Sequence, residues 1–569
     1  MFAIFKIGVV AISGGRLGEI VGMMEGSESR RKWGESMRAL LSNTTARRLC
    51  LIEALARLNT WVSIEQLVQL LNCTDKTLMK DVEIINEEWG TYLKLDFSKR
   101  RGLAIRAGQT NKIKNVYQQV LQESSEFQFL ERIFFEPDKD AEYWINELFV
   151  SETSFYRMVR QISKELKNYG LTLERKPFCV TAPDERWVRL FYQSYFEEAY
   201  GGRPWPFKIN QKEMFCYIMR SASDFGVMLD DRELILDAFL LMITIIRANQ
   251  GFLLNETIYQ QPEDIIDQVI LQSRNDMVKL LATSEYILVD KWYREVSHGV
   301  FYEFYNWDNP QQEVRIQKAV NHFLDKLVKA ADFSLAAEDR EKISQRMMLW
   351  YLSYTIYPYD RTILLNPSES SARNIRRLYP VFSKLVEVNL KEIEKECNFP
   401  WAKVKEEEIL CLILKDWAHL PRHLDSLRPP VSLLVVSDRG LKHSKMLRDI
   451  IKGQVKDKVK IDLFIHSTLF ISPVELEYFH EYDIVVANNP VPDYHDDNLL
   501  MVDNFMSEAD WDRLYHRILR IQNRNWDHYL QELDVNLFKM GGEVYPHRRK
   551  KPTIATFVME EEGTDSLVE

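Results

Sequence analysis

Residues 44–89 read TTARRLCLIEALARLNTWVSIEQLVQLLNCTDKTLMKDVEIINEEW and contain three successive helical patterns. Apolar side chains recur at helical spacing in the first pattern and predict one buried face, formed by Leu49, Ile52, Leu55, Ala56 and Leu58. Ser63 and Gln66 form a capping-box pattern, which predicts the start of a second helix. A tight turn at 72–74 then leads into the third helix, DKTLMKDVEIINEEW. This order predicts a helix-turn-helix arrangement.

Two short strand patterns follow the third helix and complete the layout. TYLKLDF and LAIRAG are joined by a basic tip that holds Lys99, Arg100 and Arg101 together. Three helices followed by a basic hairpin predict a winged helix-turn-helix, in which such a tip is suited to phosphate contact.

The third helix is the candidate recognition helix of this first unit. Its predicted exposed residues include Asp75, Lys76, Thr77, Lys80 and Asp81. We expect Lys76, Thr77 and Lys80 to approach base edges, because base edges are reached from the N-terminal end of such a helix. The alternative is a helix-turn-helix used only for packing or dimerization.

The same layout repeats over residues 124–182. Helices are predicted at 124–135, 140–149 and 153–170, followed by a strand, a turn and a strand over LTLERKPFCVTA. The third helix carries a basic stripe on one face, formed by Arg157, Arg160, Lys164 and Lys167. Its opposite face is apolar, with Phe155, Met158, Val159, Ile162 and Leu166. A charge stripe is often only a solvated face, but the preceding helix and turn favour DNA contacts by Ser154, Arg157, Arg160 and Lys164.

Beyond residue 207 the pattern changes twice. Residues 207–430 are predicted to be almost wholly helical and to divide near 306–312 into two bundles. From Val431, short buried strand patterns alternate with helices, which predicts a small parallel α/β sheet. Residues 507–540 read as helical again.

The overall composition and net charge of the chain do not indicate nucleic-acid binding. Of its 569 residues, 46% are apolar and 28% charged, which is typical of a folded protein, and the net charge is −10. Positive charge is concentrated in the tip at 99–101 and the stripe at 157–167. There is no apolar stretch of about 18 residues, so no membrane span is predicted. Six cysteines without a CxxC pair predict a reduced, cytoplasmic chain without a metal site.

Catalytic and cofactor motifs are missing from the sequence. It has no HExxH, no nucleophile elbow and no glycine-rich nucleotide loop, which predicts a protein that is not an enzyme and holds no cofactor. His419 and His423 lie four residues apart and are candidates for phosphorylation, the alternative being a surface or packing pair. Gly440 and Ser444 suit either a small phosphate-binding loop or a structural turn.

The order of these parts resembles the Mga/AtxA-type virulence regulators of Gram-positive bacteria, which contain PTS regulation domains. The resemblance rests on residues 44–86, on SETSFYRMVRQISKELKNYGLTL, on LMITIIRANQGF and on VSLLVVSDRG, the last similar to an enzyme IIB-like domain of the sugar phosphotransferase system. It implies a regulator, usually an activator, that binds promoter DNA, forms homodimers or higher oligomers through its C-terminal half, and responds to phosphocarrier proteins. Two positions depart from the pattern: Phe252 stands where a phosphorylatable His is common, and Ser437 near where IIB proteins carry a phosphorylated Cys.

We therefore expect a multidomain, mainly α fold with seven segments. They are an N-terminal extension predicted to be disordered (1–43), two winged helix-turn-helix domains (44–122 and 123–205), two helical PTS regulation domains (206–308 and 309–428), an enzyme IIB-like α/β domain with a C-terminal helix (429–545) and a tail (546–569). The expected function is transcription regulation. The rivals are a phosphotransfer protein, which would use His443 in place of the missing Cys, and an RNA-binding antiterminator.

Overall fold

The fold is described here from a computed structural model, which covers residues 37–536 except 59, 225–228, 255–273, 283, 289–294, 296–309 and 429. Most of these residues are helical, as predicted. The chain divides into two compact units, a first unit of Met1–Asp308 with Leu349–Pro367 and a second unit of Asn309–Met348 with Ser368–Glu569. The predicted tail at 546–569, most of the predicted extension at 1–43 and part of the predicted linker near 306–312 lie outside the described residues.

Three helices and a hairpin of the first unit follow a 3₁₀ turn at Met37–Leu40, and we call them module 1. They are α1 (Asn43–Leu58), α2 (Ile64–Leu71), α3 (Asp75–Glu88), β1 (Leu95–Ser98) and β2 (Gly102–Ile105). The predicted capping box starts α2, where the Ser63 hydroxyl accepts a hydrogen bond from the backbone N–H of Gln66. The antiparallel hairpin pairs Leu95 with Ile105 and Ser98 with Gly102. Leu49, Ile52 and Leu55 are buried as predicted, whereas Ala56 and Leu58 are only half-buried.

Helix α4 (Ile113–Glu123) leads into a second set of three helices and a hairpin, which we call module 2. Its elements are α5 (Ser125–Phe135), α6 (Ala141–Glu147), α7 (Glu152–Leu166), β3 (Thr172–Arg175) and β4 (Phe178–Thr181). The predicted helix at 140–149 ends at Glu147, because the chain turns through a left-handed residue, Phe149. The predicted helix at 153–170 gives way after Leu166 to one 3₁₀ turn, Lys167–Tyr169, which the left-handed Gly170 caps.

Other described elements of the first unit include α8 (Glu185–Tyr200), α9 (Gln211–Asp224), α10 (Asp231–Asn249) and the returning segment at 349–367. They share one hydrophobic core with the two modules. The Glu198 carboxylate of α8 fixes that segment by accepting the backbone N–H groups of Ile363, Leu364 and Leu365. Burial raises the pKa of Glu198 to about 8, against the opposing effect of these hydrogen bonds.

The second unit contains a helical part and an α/β part. The helices are α11 (Pro310–Ala331), α12 (Ala337–Ile356, whose end belongs to the first unit), α13 (Pro367–Leu378, beginning at the unit boundary), α14 (Pro380–Cys397), α15 (Trp401–Val404), α16 (Glu406–Asp416) and α17 (Leu420–Ser426). The α/β part contains β5 (Val431–Val436), α18 (Leu441–Val455), β6 (Val459–Leu463), α19 (Pro473–Phe479), β7 (Ile484–Ala487), β8 (Leu499–Met501) and α20 (Glu508–Asn536). Its four strands are parallel in the order β6-β5-β7-β8.

Candidate nucleic-acid interface

Helix α7 is held in place by its cap and by an aromatic cluster. Ser151 is the N-cap, and its hydroxyl accepts the backbone N–H of Ser154 at 3.2 Å. The Phe129 ring of α5 meets three other rings edge to face, at centroid distances of 5.5–5.6 Å, namely Trp144 of α6, Phe155 of α7 and Phe178 of β4. The whole predicted apolar face of α7 is buried. The opposite, basic face of α7 is therefore turned outward.

That outward face forms an open pocket of about 540 Å³ with the hairpin of module 2. Three of the predicted DNA-contacting residues line it, Arg157, Arg160 and Lys164. Lys167 lines it as well, and the structure adds Arg175, from the end of β3. The sequence reasoning missed Arg175, although the signal was visible: ERKP places two cations in the turn, as KRR does in module 1.

The pocket carries a concentration of positive charge. Among the described residues, none of its five cations forms an ion pair with an acid. Glu126 is the acidic neighbour of Arg157: burial raises the pKa of Glu126, and the charge of Arg157 opposes that rise. Ser154, the fourth predicted contact, is half-buried and its hydroxyl accepts from Ser151 at 2.9 Å. A surface with this charge is suited to a chain of phosphates.

Module 1 places its predicted contacts on the first turns of α3. Thr74 is the N-cap, and Lys76 and Lys80 are exposed. The hydroxyl groups of Thr77 and Thr74 are hydrogen-bonded to each other at 2.9 Å. The prediction that Asp81 is exposed was wrong.

Asp81 is only 2% exposed, because its carboxylate accepts hydrogen bonds from two arginines of α1. Arg47 donates to Asp81 Oδ2 at 2.6 Å, and Arg48 donates to Oδ1 at 3.2 Å. This triad ties α3 to α1. The hydrogen bond to Asp81 also raises the pKa of the Arg47 guanidinium.

The tip of the module 1 hairpin lies in solvent. Lys99, Arg100 and Arg101 are all exposed in the turn between β1 and β2. The Arg101 guanidinium lies over the Trp61 ring, 4.2 Å from its centroid, which holds this cation by a cation–π contact.

The two candidate phosphorylation sites, His419 and His423, differ in solvent exposure. His419 is exposed and precedes α17 in a left-handed conformation. His423 is half-buried: its ring stacks on Phe333 at 4.3 Å, and its Nε2 donates to the Ala331 carbonyl at 2.9 Å. In the first unit, the Phe252 ring packs under the Arg247 guanidinium at 3.7 Å, a structural contact.

The loop after β5 is closed by its own hydrogen bonds. His443 Nε2 lies 2.9 Å from the Asn504 carbonyl, so that nitrogen carries the proton and donates. Nδ1 then accepts from the Ser437 hydroxyl at 2.8 Å. Both ring nitrogens are therefore occupied. Of Gly440 and Ser444, Gly440 is the left-handed residue before α18 (φ 78°), and Ser444 is buried.

The described residues contain no group of three or more His, Cys, Asp or Glu arranged to hold a metal ion. Among them, no helix combines the length and the apolar character that a membrane span needs.

Comparison with known proteins finds a helix-turn-helix domain in the region of module 2. The Mga helix-turn-helix domain matches residues 109–196, which contain the whole of module 2. A protein described as a trans-acting regulator in Streptococcus pneumoniae serotype 4 is 22% identical over 491 residues, 82% of this chain and 96% of that protein. The capsule synthesis positive regulator AcpA of Bacillus anthracis is 25% identical over 207 residues, 36% of this chain and 43% of that protein.

A third relative is the anthrax toxin expression trans-acting positive regulator of Bacillus anthracis, 22% identical over 133 residues, 23% of this chain and 28% of that protein. The matched domain and the named relatives together confirm the resemblance stated from the sequence. This chain is therefore similar to the Mga/AtxA-type virulence regulators, which are transcriptional regulators and not enzymes.

Proposed function

We propose that this protein is a DNA-binding transcription activator of virulence genes, which binds double-stranded promoter DNA through modules 1 and 2 acting as tandem winged helix-turn-helix domains. The observation that carries the proposal is the pocket of five cations on α7 and the β3 end. Two features of one supersecondary motif, the third helix and the hairpin, converge there on a surface fit for phosphates. The names of the relatives as positive regulators support the activating direction.

The proposed docking follows the geometry of helix-turn-helix proteins. The N-terminal turn of α7, which begins after Ser151, enters the major groove. Arg157, Arg160 and Lys164 then run along the groove wall, while Arg175 holds the neighbouring backbone. Ser154 serves less as a base contact than as part of the cap, because its hydroxyl already bonds with Ser151.

Module 1 makes the second contact in this proposal. Lys76 and Lys80 approach the duplex from the first turns of α3, and Lys99, Arg100 and Arg101 hold phosphates from the hairpin tip. Thr77 is engaged with Thr74, so its share of base contact is smaller than that of the two lysines.

The C-terminal half is proposed to control these modules. The helical segments act as PTS regulation domains, the four-stranded parallel sheet as an enzyme IIB-like domain, and both support homodimers or higher oligomers in the cytoplasm. Phosphocarrier proteins of the sugar phosphotransferase system are the proposed input. His419 is the better phosphoryl acceptor of the predicted pair, because it is exposed while His423 is stacked and hydrogen-bonded.

The two rival functions are less well supported. A phosphotransfer protein needs a free nucleophile in the loop after β5, but both nitrogens of His443 are engaged there. An RNA-binding antiterminator of the related type binds RNA through a small β-rich domain, whereas modules 1 and 2 of this chain each consist of three helices and a two-stranded hairpin.

Salt-dependent binding tests the proposal. The probe is a short duplex selected by the full chain from a random-sequence pool, and fluorescence anisotropy gives the affinity at several salt concentrations. The variant Arg157→Ala/Arg160→Ala/Lys164→Ala is expected to lose about a hundredfold in affinity and roughly three from the slope of log affinity against log salt. Lys318→Ala/Lys329→Ala/Lys395→Ala, which removes three exposed lysines of the second unit, is the control. Equal losses in both variants contradict the proposed interface.

A further inference from the structure

The turn between α6 and α7 presents an aromatic ring in an unusual setting. Phe149 is 94% exposed, the largest exposed fraction among the bulky apolar side chains described. Its backbone is left-handed, with φ at 52°. No ring contact involves it among the residues that the structure describes. The side chain thus contributes almost nothing to packing, and its backbone conformation is one that bulky residues rarely adopt.

The hydrogen bonds explain why a left-handed residue is needed at this point. The N–H of Val150 donates to the Ile145 carbonyl at 3.2 Å, and the N–H of Phe149 donates to the Asn146 carbonyl at 3.3 Å. These two bonds are a Schellman motif, which ends a helix through one left-handed residue. Glycine or asparagine normally fills that position.

Module 1 forms the same turn with asparagine, a residue that commonly adopts the left-handed conformation. Between α2 and α3, Asn72 is left-handed with φ at 48°, and the amides of Cys73 and Asn72 donate to the Val68 and Gln69 carbonyls. In each module the N-cap hydroxyl residue follows the left-handed residue by two positions. The turn can therefore be made with Asn, and folding gains nothing from the phenyl ring of module 2.

We infer that Phe149 contacts DNA directly, packing against thymine methyl groups in the major groove. The inference rests on the proposed function. Phe149 lies two residues before the cap of the helix that carries Arg157 and Arg160, so an α7 that enters the groove brings the ring to the base edges. The 5-methyl of thymine is the apolar group displayed there, and aromatic side chains bind it by apolar contact. Phe149 thereby gives module 2 a preference for thymine.

Removing either partner tests the contact. The duplex selected by the full chain is compared with the same duplex in which deoxyuridine replaces thymidine, which deletes only the methyl groups. The wild-type protein is expected to lose about fourfold in affinity on the deoxyuridine duplex. Phe149→Asn is expected to lose about tenfold on the thymidine duplex and to distinguish little between the two duplexes, because the two losses describe one interaction.

Controls separate the contact from folding and from surface hydrophobicity. Asn tolerates the left-handed conformation, so Phe149→Asn is expected to unfold at the same urea concentration as the wild type, or at a higher one. Phe505→Asn removes an aromatic ring that is 72% exposed in the second unit and is expected to leave DNA binding unchanged.

Three results overturn the inference. If Phe149→Asn binds as the wild type does while Arg157→Ala/Arg160→Ala/Lys164→Ala binds weakly, the proposed function stands and Phe149 is not a contact. If Phe149→Asn binds DNA normally but no longer activates a promoter reporter, the ring meets a protein partner instead. If the wild-type chain binds no duplex at all, the proposed function fails together with the inference.

Discussion

The third helices of the two modules share a frame but carry different charge. The N-cap hydroxyls are Thr74 in α3 and Ser151 in α7, and each accepts the backbone N–H three residues later at 3.2 Å. In that common register, the stripe of α7 corresponds to three positions of α3. Arg157, Arg160 and Lys164 stand where α3 has Lys80, Glu83 and Glu87.

The difference shows which features fold the module and which make its surface. Capping and the buried apolar face are common to both helices, so they suffice to build the layout. The outward charge differs without disturbing it. Because phosphates attract cations and repel carboxylates, the recognition helix of module 2 is the stronger candidate for a DNA contact. For module 1, the exposed cations of the hairpin tip are the stronger candidate contact.

The largest expected effect concerns the core of module 1. When the N-caps of α3 and α7 are aligned, Asp81 of module 1 holds the position that Met158 holds in module 2. Asp81→Asn leaves two partly buried arginines without their shared carboxylate and is expected to lower the free energy of unfolding by about 2–3 kcal/mol. Urea unfolding of the full chain measures it. Met158→Leu, a change of similar volume, is the matched control and is expected to cost less than about 1.5 kcal/mol. An unfolding curve of Asp81→Asn that matches the wild type contradicts a role for the triad in holding α3 to α1.

Sequence patterns predicted the helices and hairpins of both modules well because caps and periodicity are local. The Ser63 capping box and the apolar face of α7 are examples. Asp81 was misjudged because its burial depends on Arg47 and Arg48, more than 30 residues away. The pocket forms because Arg175 of the hairpin lies beside α7, a tertiary contact that no local sequence pattern predicts. The end of α6 at Glu147 was missed because Phe149 is not a residue that signals a helix end.

The second effect concerns the hairpin tip of module 1. Lys99→Ala/Arg100→Ala/Arg101→Ala is expected to weaken DNA binding about tenfold and to make the salt dependence shallower, since we propose that the tip supplies phosphate contacts. Anisotropy against salt measures both quantities. Unchanged affinity and slope would remove the tip from the interface and leave module 2 as the site of contact.

The smallest effect is a gain, and it tests the charge difference directly. Glu83→Arg/Glu87→Lys gives α3 the charge pattern of α7 at the corresponding positions, both of which are exposed. If α3 lies near DNA, replacing repulsion by attraction is expected to raise affinity about fivefold and to steepen the salt dependence. Glu313→Arg/Glu341→Lys, at two exposed acids of the second unit, controls for the change in net charge. A gain in both variants would reflect charge alone, whereas no gain in either would place α3 away from the duplex and make the contrast between the modules complete.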